Sequence, residues 1–272
     1  MPELPEVEVT CQGIRPYLLN HAITQVVVRQ PQLRWPVPTQ ALKKHLTDQP
    51  VLAITRRGKY IVIHVPSEHL IIHLGMSGNL RILPQDTAIR KHDHFDCLLS
   101  SGYVLRLNDP RRFGAILWTK GPLAEFPQLK KLGPEPFSAA FSAKYLQQIA
   151  SKHKVPIKAL IMNAASVVGV GNIYASESLF MAKINPQRPA HSLTDKDCVR
   201  LHKAIQKILA NAIQKGGTTL KDFSQSDGKP GYFKQELKVY GRKDEPCKKC
   251  HTNIIGIQLG QRSTYYCPSC QV

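Results

Sequence analysis

The sequence predicts an α+β protein of two domains: a β-rich first half behind a leading helix, then a helical half ending in a cysteine-paired ribbon. Three observations carry this. Between Ile23 and about Lys120, eight short apolar runs (ITQVVVR, VLAIT, YIVIHV, HLIIHL, NLRIL, FDCLL, YVLRL, AILW) follow one another closely, broken by turns, as in a sandwich or barrel. Beyond Phe141 apolar residues recur at helical spacing. Finally, Cys247-x2-Cys250 and Cys267-x2-Cys270 stand 16 residues apart, the spacing of a tetrahedral zinc site. Four thiolates leave no open coordination position, so one structural Zn2+ is expected, with no organic cofactor.

Composition bounds the function. The 272 residues carry 37 Lys and Arg against 19 Asp and Glu, a formal charge of +18 spread along the whole length. A folded chain this basic calls for a polyanionic partner. A membrane surface fits poorly, because no long basic amphipathic helix stands out and no apolar run approaches a spanning length. The N-terminus is acidic where a signal peptide is basic, so a cytoplasmic protein is expected, its seven cysteines serving as thiols or metal ligands.

The chain opens MPELPEVEVT. Trimming of the methionine would expose the secondary amine of Pro2. With a pKa of about 7.8, roughly 14% of such an amine is free base at pH 7, against about 0.04% for lysine. Only the neutral amine attacks an electrophilic carbon, so Pro2 is a candidate Schiff-base nucleophile. The plainer reading makes Pro5 a helix starter, with Glu3 and Glu6 complementing the helix dipole. Leu4, Val7, Cys11, Ile14 and Leu18 then form one buried stripe of a helix ending near Asn20-His21.

Several turns of the β-rich half have unusual contents. Arg56-Arg57-Gly58-Lys59 is a basic hairpin tip. Gly75-Met76-Ser77-Gly78 places a methionine on a loop. Asn108 to Gly114 pairs Arg111 and Arg112 with Phe113. Met76 and Phe113 either tuck against their own domain or serve, with the arginines, as a wedge that unstacks a duplex. Lys59 alone reads as a solvated charge, and His92, in the turn before Phe95, as a surface histidine. Residues 121–141 show no period, and Gly133-Pro134-Glu135-Pro136 reads as an interdomain hinge.

The second half predicts helices near Lys144–Lys152, from Pro156 through Met162, and from Thr194 to Lys215. The last opens with the capping pattern Thr194-x-x-Asp197 and stops at Gly216-Gly217. The segment VVGVGNIYASE contains G-x-G-x-x-Y, but a helix precedes it where a dinucleotide fold needs a strand. Two helices joined by a turn fit better, with Asn172 near the second N-cap and Gly169 and Gly171 letting backbone N–H groups approach a phosphate. Residues 218–233 read as a long polar loop of the kind that forms binding lids. Between the cysteine pairs, a hairpin turning near Gly260-Gln261-Arg262 projects Arg262 from the ribbon tip.

Together, MPELPEVE, RRGKY at 56–60, LGMSG at 74–78, NDPRRFG at 108–114, GVGNIYASE at 169–177, GGTTLKDF at 216–223, VYGR at 239–242 and the ribbon with QRSTYYC resemble formamidopyrimidine-DNA glycosylases from end to end. The related endonuclease VIII group typically opens P-E-G-P-E, and Leu4 favours the purine-directed branch.

The resemblance implies an N-terminal catalytic β-sandwich over 1–133, a helix–two-turn–helix domain over 134–236 and a zinc ribbon over 237–272. It implies a monomeric bifunctional glycosylase/AP lyase of base excision repair, acting on double-stranded DNA with oxidised purines or abasic sites at the bacterial nucleoid. Pro2 would attack C1′, Glu3 would move protons around the sugar, Lys59 would assist β-elimination and Arg262 δ-elimination. Met76, Arg111 and Phe113 match a triad that fills the void of a flipped base. His92, Asn172 and the basic run holding His153 match DNA contacts, and the loop after Gly217 matches a lid over the lesion. His153 stands where a lysine is common, and Asn163 where an acidic residue is more frequent. The rival readings are a pyrimidine-directed enzyme of the same architecture and a non-catalytic damage-binding ribbon protein.

Overall fold

Helix α1 (Leu4–Leu18) starts at a built cap. Pro5 lies in its first turn, and the Glu3 backbone N–H donates to Glu6 Oε2 at 2.9 Å. The whole predicted stripe, Leu4, Val7, Cys11, Ile14 and Leu18, is at most 1% exposed. The helix stops slightly earlier than its pattern suggests, because Pro16 lies in its last turn and Asn20 takes a positive φ of 64°.

The structure, a computed structural model, describes residues 2–218 and 236–272. The chain divides into two compact units, Met1–Lys130 with Lys215–Lys234, and Lys131–Gln214 with Gln235–Val272.

In the first unit α1 is followed by β1 (Ala22–Val28), α2 (Thr39–Leu46), β2 (Gln49–Pro50), β3 (Ala53–Arg57), β4 (Tyr60–Val65), β5 (Glu68–His73), β6 (Asn79–Pro84), β7 (Asp93–Leu99), β8 (Tyr103–Asn108) and β9 (Ala115–Thr119). They form two antiparallel sheets, ordered β2-β1-β7-β8-β6 and β3-β4-β5-β9. The architecture is the sandwich, with α1 sharing its core. Ile61, Ile63 and Val65 alternate along β4 and meet Val26, Phe95, Cys97, Leu105 and Leu107 of the other sheet. Each such side chain contributes roughly 1.5–3 kcal/mol by leaving water. The two-turn helix α2 escapes sequence reading because only Leu42 and Leu46 of its eight residues are buried.

The five-stranded sheet also carries a charged ladder. Arg106, 3% exposed, grips Asp96 with Nε and an Nη, both at 3.0 Å, while Arg29 pairs with Asp96 and Arg81 with Asp93. Arg106 also donates to the carbonyls of Thr87 and Ala88, which fastens the segment leading into His92. The stretch after β9 is less irregular than predicted: a 3-10 turn (Leu123–Glu125) and the short α3 (Pro127–Lys130) lie within it.

The second unit holds α4 (Ala143–Ala150), α5 (Ile157–Met162), α6 (Asn172–Ala182), α7 (Asp195–Gln214) and the hairpin β10 (Ile255–Leu259) with β11 (Arg262–Tyr266). The predicted cap of α7 is present in both directions: Thr194 N donates to Asp197 Oδ2 at 3.0 Å and Asp197 N to Thr194 Oγ1 at 3.2 Å. Helices α5 and α6, separated by the turn at residues 163–171, form the helix–two-turn–helix pair.

Candidate nucleic-acid interface and metal centre

In the first unit, α1 lies antiparallel to β3. Arg15 donates to the Ile54 carbonyl at 3.1 Å, Cys11 Sγ lies 3.8 Å from the Thr55 carbonyl, and Arg56 Nε donates to Glu8 at 2.9 Å. As the helix is followed back towards its start, the strand is followed forward into its hairpin. The start of α1, with buried Pro2 and Glu3, is therefore brought to the end where the Gly58-Lys59 turn joins β3 to β4. Gly58 has a φ of 57°, which a tight two-residue turn accommodates at no steric cost.

Glu6 has a larger role than dipole compensation. Its Oε2 holds the Glu3 backbone and its Oε1 accepts from Thr218 N at 2.8 Å. Gly217, at φ +81°, lies so close that a β-carbon would come within 3.1 Å of Glu6 Oε1. A carboxylate at the start of α1 thus anchors the chain where the expected lid begins. The lid itself, from Thr219 on, lies outside the described residues.

His73 is a site residue that sequence reasoning missed. Its Nδ1 accepts from Gly75 N at 3.0 Å, which places the proton of the neutral ring on Nε2. Burial, then the charges of Arg34 and Lys59, push its pKa down to about 4, so the ring is a neutral donor at pH 7. Tyr60 packs on it with ring centroids 4.8 Å apart. His73, Arg34, Met76 and Phe113 share the lining of a cavity of about 590 Å³ with Leu33, Gly75 and Arg112. Arg34 was also missed; it is exposed, with its guanidinium 4.6 Å from the Trp35 ring centre. Both were hidden by the same fact, that a His or Arg beside an apolar run has no local pattern marking it.

Met76 and Phe113 are thus neighbours in space although far apart in sequence. Phe113 is 46% exposed, and Arg111 lies over its ring at 5.1 Å. An exposed aromatic capped by a guanidinium suits stacking on a base far better than packing in a core. His92 sits at φ 73°, its carbonyl accepting from Asp109 N at 3.0 Å, so the DNA-contact candidate is tied to the Phe113 loop.

In the second unit, Gly171 is the N-cap of α6 and Asn172 its first residue, beside the cap as expected. Asn172 Nδ2 donates to the Ser263 carbonyl at 2.9 Å, beside Arg262. Lys158, 1% exposed, donates to the same carbonyl at 3.1 Å and to Thr264 Oγ1 at 2.7 Å. The ribbon strand is therefore held by two side chains from the helix pair. Arg262 itself is exposed and opens β11; the turn is Gly260-Gln261, both at positive φ (53° and 59°). Glu177 accepts three backbone N–H groups, of Lys238, Val239 and Tyr240, at 2.9–3.0 Å. Burial still raises its carboxyl pKa, against those three donors. His153 is exposed, and its Nδ1 donates to the Ile149 carbonyl at 2.8 Å, closing the end of α4. Asn163 Oδ1 accepts from Ala165 N at 3.0 Å, so the amide keeps an acceptor there without the charge of an acidic residue.

The four predicted cysteines converge, all Sγ atoms lying within 4.8 Å of one another. Zinc–sulfur bonds of about 2.3 Å put tetrahedral sulfurs about 3.8 Å apart, and the Cys250–Cys267 pair at 3.4 Å is close to that edge. Lys249 N points at Cys247 Sγ at 3.4 Å, as backbone amides do towards thiolate ligands. The donor set fits structural Zn2+ held by Cys247, Cys250, Cys267 and Cys270.

Three family models match: the formamidopyrimidine-DNA glycosylase N-terminal domain over residues 1–116, the H2TH domain of the same enzymes over 132–224, and the zinc finger found in FPG and IleRS over 244–272. The chain belongs to the formamidopyrimidine-DNA glycosylase family. The glycosylase of Pasteurella multocida is 53% identical over 271 residues, covering 100% of this chain and 99% of that one. The MutM (Fpg) protein of Thermus thermophilus superposes with a TM-score of 0.89 at 38% identity, over 99% of this chain and 98% of that one. Lactococcus lactis Fpg, 33% identical over 99% of both chains with TM-scores of 0.91–0.92, has been solved with DNA containing an abasic site, an N7-benzyl-Fapy-dG or an oxidised pyrimidine. The zinc-finger match spans the four clustered cysteines.

Proposed function

We propose that this chain is a bifunctional DNA glycosylase and AP lyase of base excision repair that removes oxidised purines, 8-oxoguanine and formamidopyrimidines, from duplex DNA. The observation that carries the reading is the antiparallel alignment of α1 with β3, which supports a nucleophile at Pro2 and a phosphate-gripping cation at Lys59 on one end of the first unit.

Pro2, freed of Met1, attacks C1′ with its nitrogen lone pair, and the base departs with the glycosidic electron pair. Glu3 supplies and removes protons around the sugar. The C1′–O4′ bond then opens with its electron pair going to O4′, which takes a proton, and the resulting cationic iminium acidifies the neighbouring sugar proton, so the same intermediate serves strand cleavage. Lys59 assists β-elimination through its phosphate contact. Arg262, exposed on the second unit, grips a phosphate and serves δ-elimination. His92, Asn172 and His153 contact the backbone, and in the first unit Arg34 adds a cation near the neutral donor His73 Nε2–H.

Reaching C1′ requires extrusion of the nucleotide, at a cost of a few kcal/mol. Phosphate contacts from a chain of charge +18 and insertion of Met76, Arg111 and Phe113 offset that cost. Four thiolates leave the metal no open position, so the zinc holds the ribbon in shape and takes no step in the reaction.

Borohydride trapping on an 8-oxoguanine·cytosine duplex tests the reading. The processed chain becomes covalently attached to DNA, while a chain with an uncleaved N-terminal extension binds but neither excises nor traps. Normal turnover by the extended chain overturns the assignment of Pro2. A wider substrate range, including oxidised pyrimidines, is favoured by the Lactococcus lactis complex with an oxidised pyrimidine; parallel assays on both lesion classes decide it.

A further inference from the structure

The two loops that carry the wedge are joined by a single buried carboxylate. Asp109 is 0% exposed. Its Oδ1 accepts from Ser77 Oγ at 2.9 Å, on the loop of Met76, and its Oδ2 accepts from Gly114 N at 2.7 Å, directly after Phe113. Ser77 Oγ in turn accepts from Arg111 N at 3.4 Å. The Asp109 backbone closes the same knot: its N–H donates to the His92 carbonyl, and its carbonyl accepts from Arg112 N at 3.2 Å and His94 Nε2 at 3.0 Å.

Steric fit fixes the rest. Gly75 has a φ of +64°, and a β-carbon there would lie 2.3 Å from the Phe113 carbonyl carbon. A β-carbon on Gly114 would lie 2.9 Å from both Asp109 Oδ2 and the His73 carbonyl. The backbones of the two loops are in contact, and the carboxylate sets their separation.

We infer that Asp109 is a positioning residue for base extrusion, holding Met76 and Phe113 as one rigid insertion element so that both tips enter the stack together. This rests on the wedge reading above. A side chain inserted into a stack works only if it does not retreat when the base pushes back, and an element fastened to buried acceptors retreats least. Asp109 acts through the loops and touches no reacting atom.

Asparagine can reproduce the two bonds. Its carbonyl oxygen accepts from Gly114 N, and its NH2 donates to Ser77 Oγ once that hydroxyl turns. Alanine can reproduce neither. The test is therefore a single-turnover comparison of Asp109→Ala and Asp109→Asn on 8-oxoguanine duplex and on a pre-formed abasic duplex. Asp109→Ala is expected to slow excision by about tenfold or more while slowing abasic-site cleavage by less than about threefold. Asp109→Asn is expected to restore most of the lost excision. Equal losses on the two substrates, or no rescue by asparagine, overturn the inference.

Should Asp109→Ala prove unfolded by thermal melting, Ser77→Ala removes one arm alone and is expected to show a smaller loss with the same substrate preference; an even loss again overturns it. A double-mutant cycle supplies the final arm. If Asp109 acts through the wedge, Asp109→Ala adds less than about twofold in a Phe113→Ala background, and multiplicative losses overturn the inference. Phe113→Ala alone separates the two claims: even losses there sink the wedge reading itself, whereas a selective loss without one at Asp109 sinks only the positioning role.

Discussion

The sandwich and the ribbon hold their candidate DNA-contacting side chains by opposite means. In the first unit, Met76, Phe113 and Lys59 sit on turns of a β-structure whose core spans two sheets and two helices, with Ile61, Ile63, Leu70, Ile72 and Leu107 fully buried. In the ribbon, Arg262 sits on a hairpin whose buried apolar cluster consists of Val239, Cys247, Ile254 and Cys267, two of them metal ligands. A large core keeps its shape when one turn changes. A small one depends on its metal, because binding free energy and folding free energy are then the same quantity.

The contrast predicts first that Cys247→Ser releases zinc and unfolds the ribbon, a loss on the order of 10 kcal/mol of metal-coupled stability. DNA affinity should collapse while the first unit keeps its melting transition. Zinc content, calorimetry and a binding titration check this, and unchanged lesion binding by chelated protein would show that the ribbon is no part of the grip.

A core truncation should do the reverse. Ile63→Ala, between the sheets, is expected to cost about 2–5 kcal/mol in the first unit and to leave zinc content untouched. Loss of zinc from that variant would mean that the two regions are not energetically separate.

Acid should act on the sandwich through His73. Its folded pKa, near 4, lies below the ordinary value of 6.5. Between those values the unfolded chain binds the extra proton and the folded one does not. The stabilisation is therefore complete above pH 6.5 and declines as pH falls towards 4, by up to about 3 kcal/mol. Denaturant melts of wild type and His73→Gln across this range should converge in slope only if His73 is not the titrating group.

The smallest effects separate grip from wedge. Arg262→Gln should flatten the slope of log K against log salt by about one unit, on damaged and undamaged duplexes alike. Phe113→Ala should leave that slope unchanged and cost about 1–3 kcal/mol in lesion binding if the ring stacks on a base. A changed slope for Phe113→Ala would return it to ordinary packing.

Local pattern was enough for the elements whose physics is local. The apolar stripe of α1, the apolar run of β4, the Thr194–Asp197 cap and the cysteine spacing each follow from local pattern or chelate geometry within a few residues. The unusual turns were visible for the same reason, since Gly, Pro and Arg at hairpin tips are marked by type. Pro2 stood out as a candidate nucleophile because its chemistry belongs to the residue itself.

The braces were not legible, because each links positions far apart in sequence through a buried polar atom. Asp109 reaches across 32 residues to Ser77, Lys158 across 106 to Thr264, and Glu6 across 212 to Thr218. No period signals such a bond; a charged residue becomes a strut only when folding removes its alternatives in water. The sequence by itself marked the candidates for chemistry on DNA and the four thiols that hold a metal site together. Tertiary structure alone decided which of them are held still, because holding requires a partner brought from elsewhere in the chain.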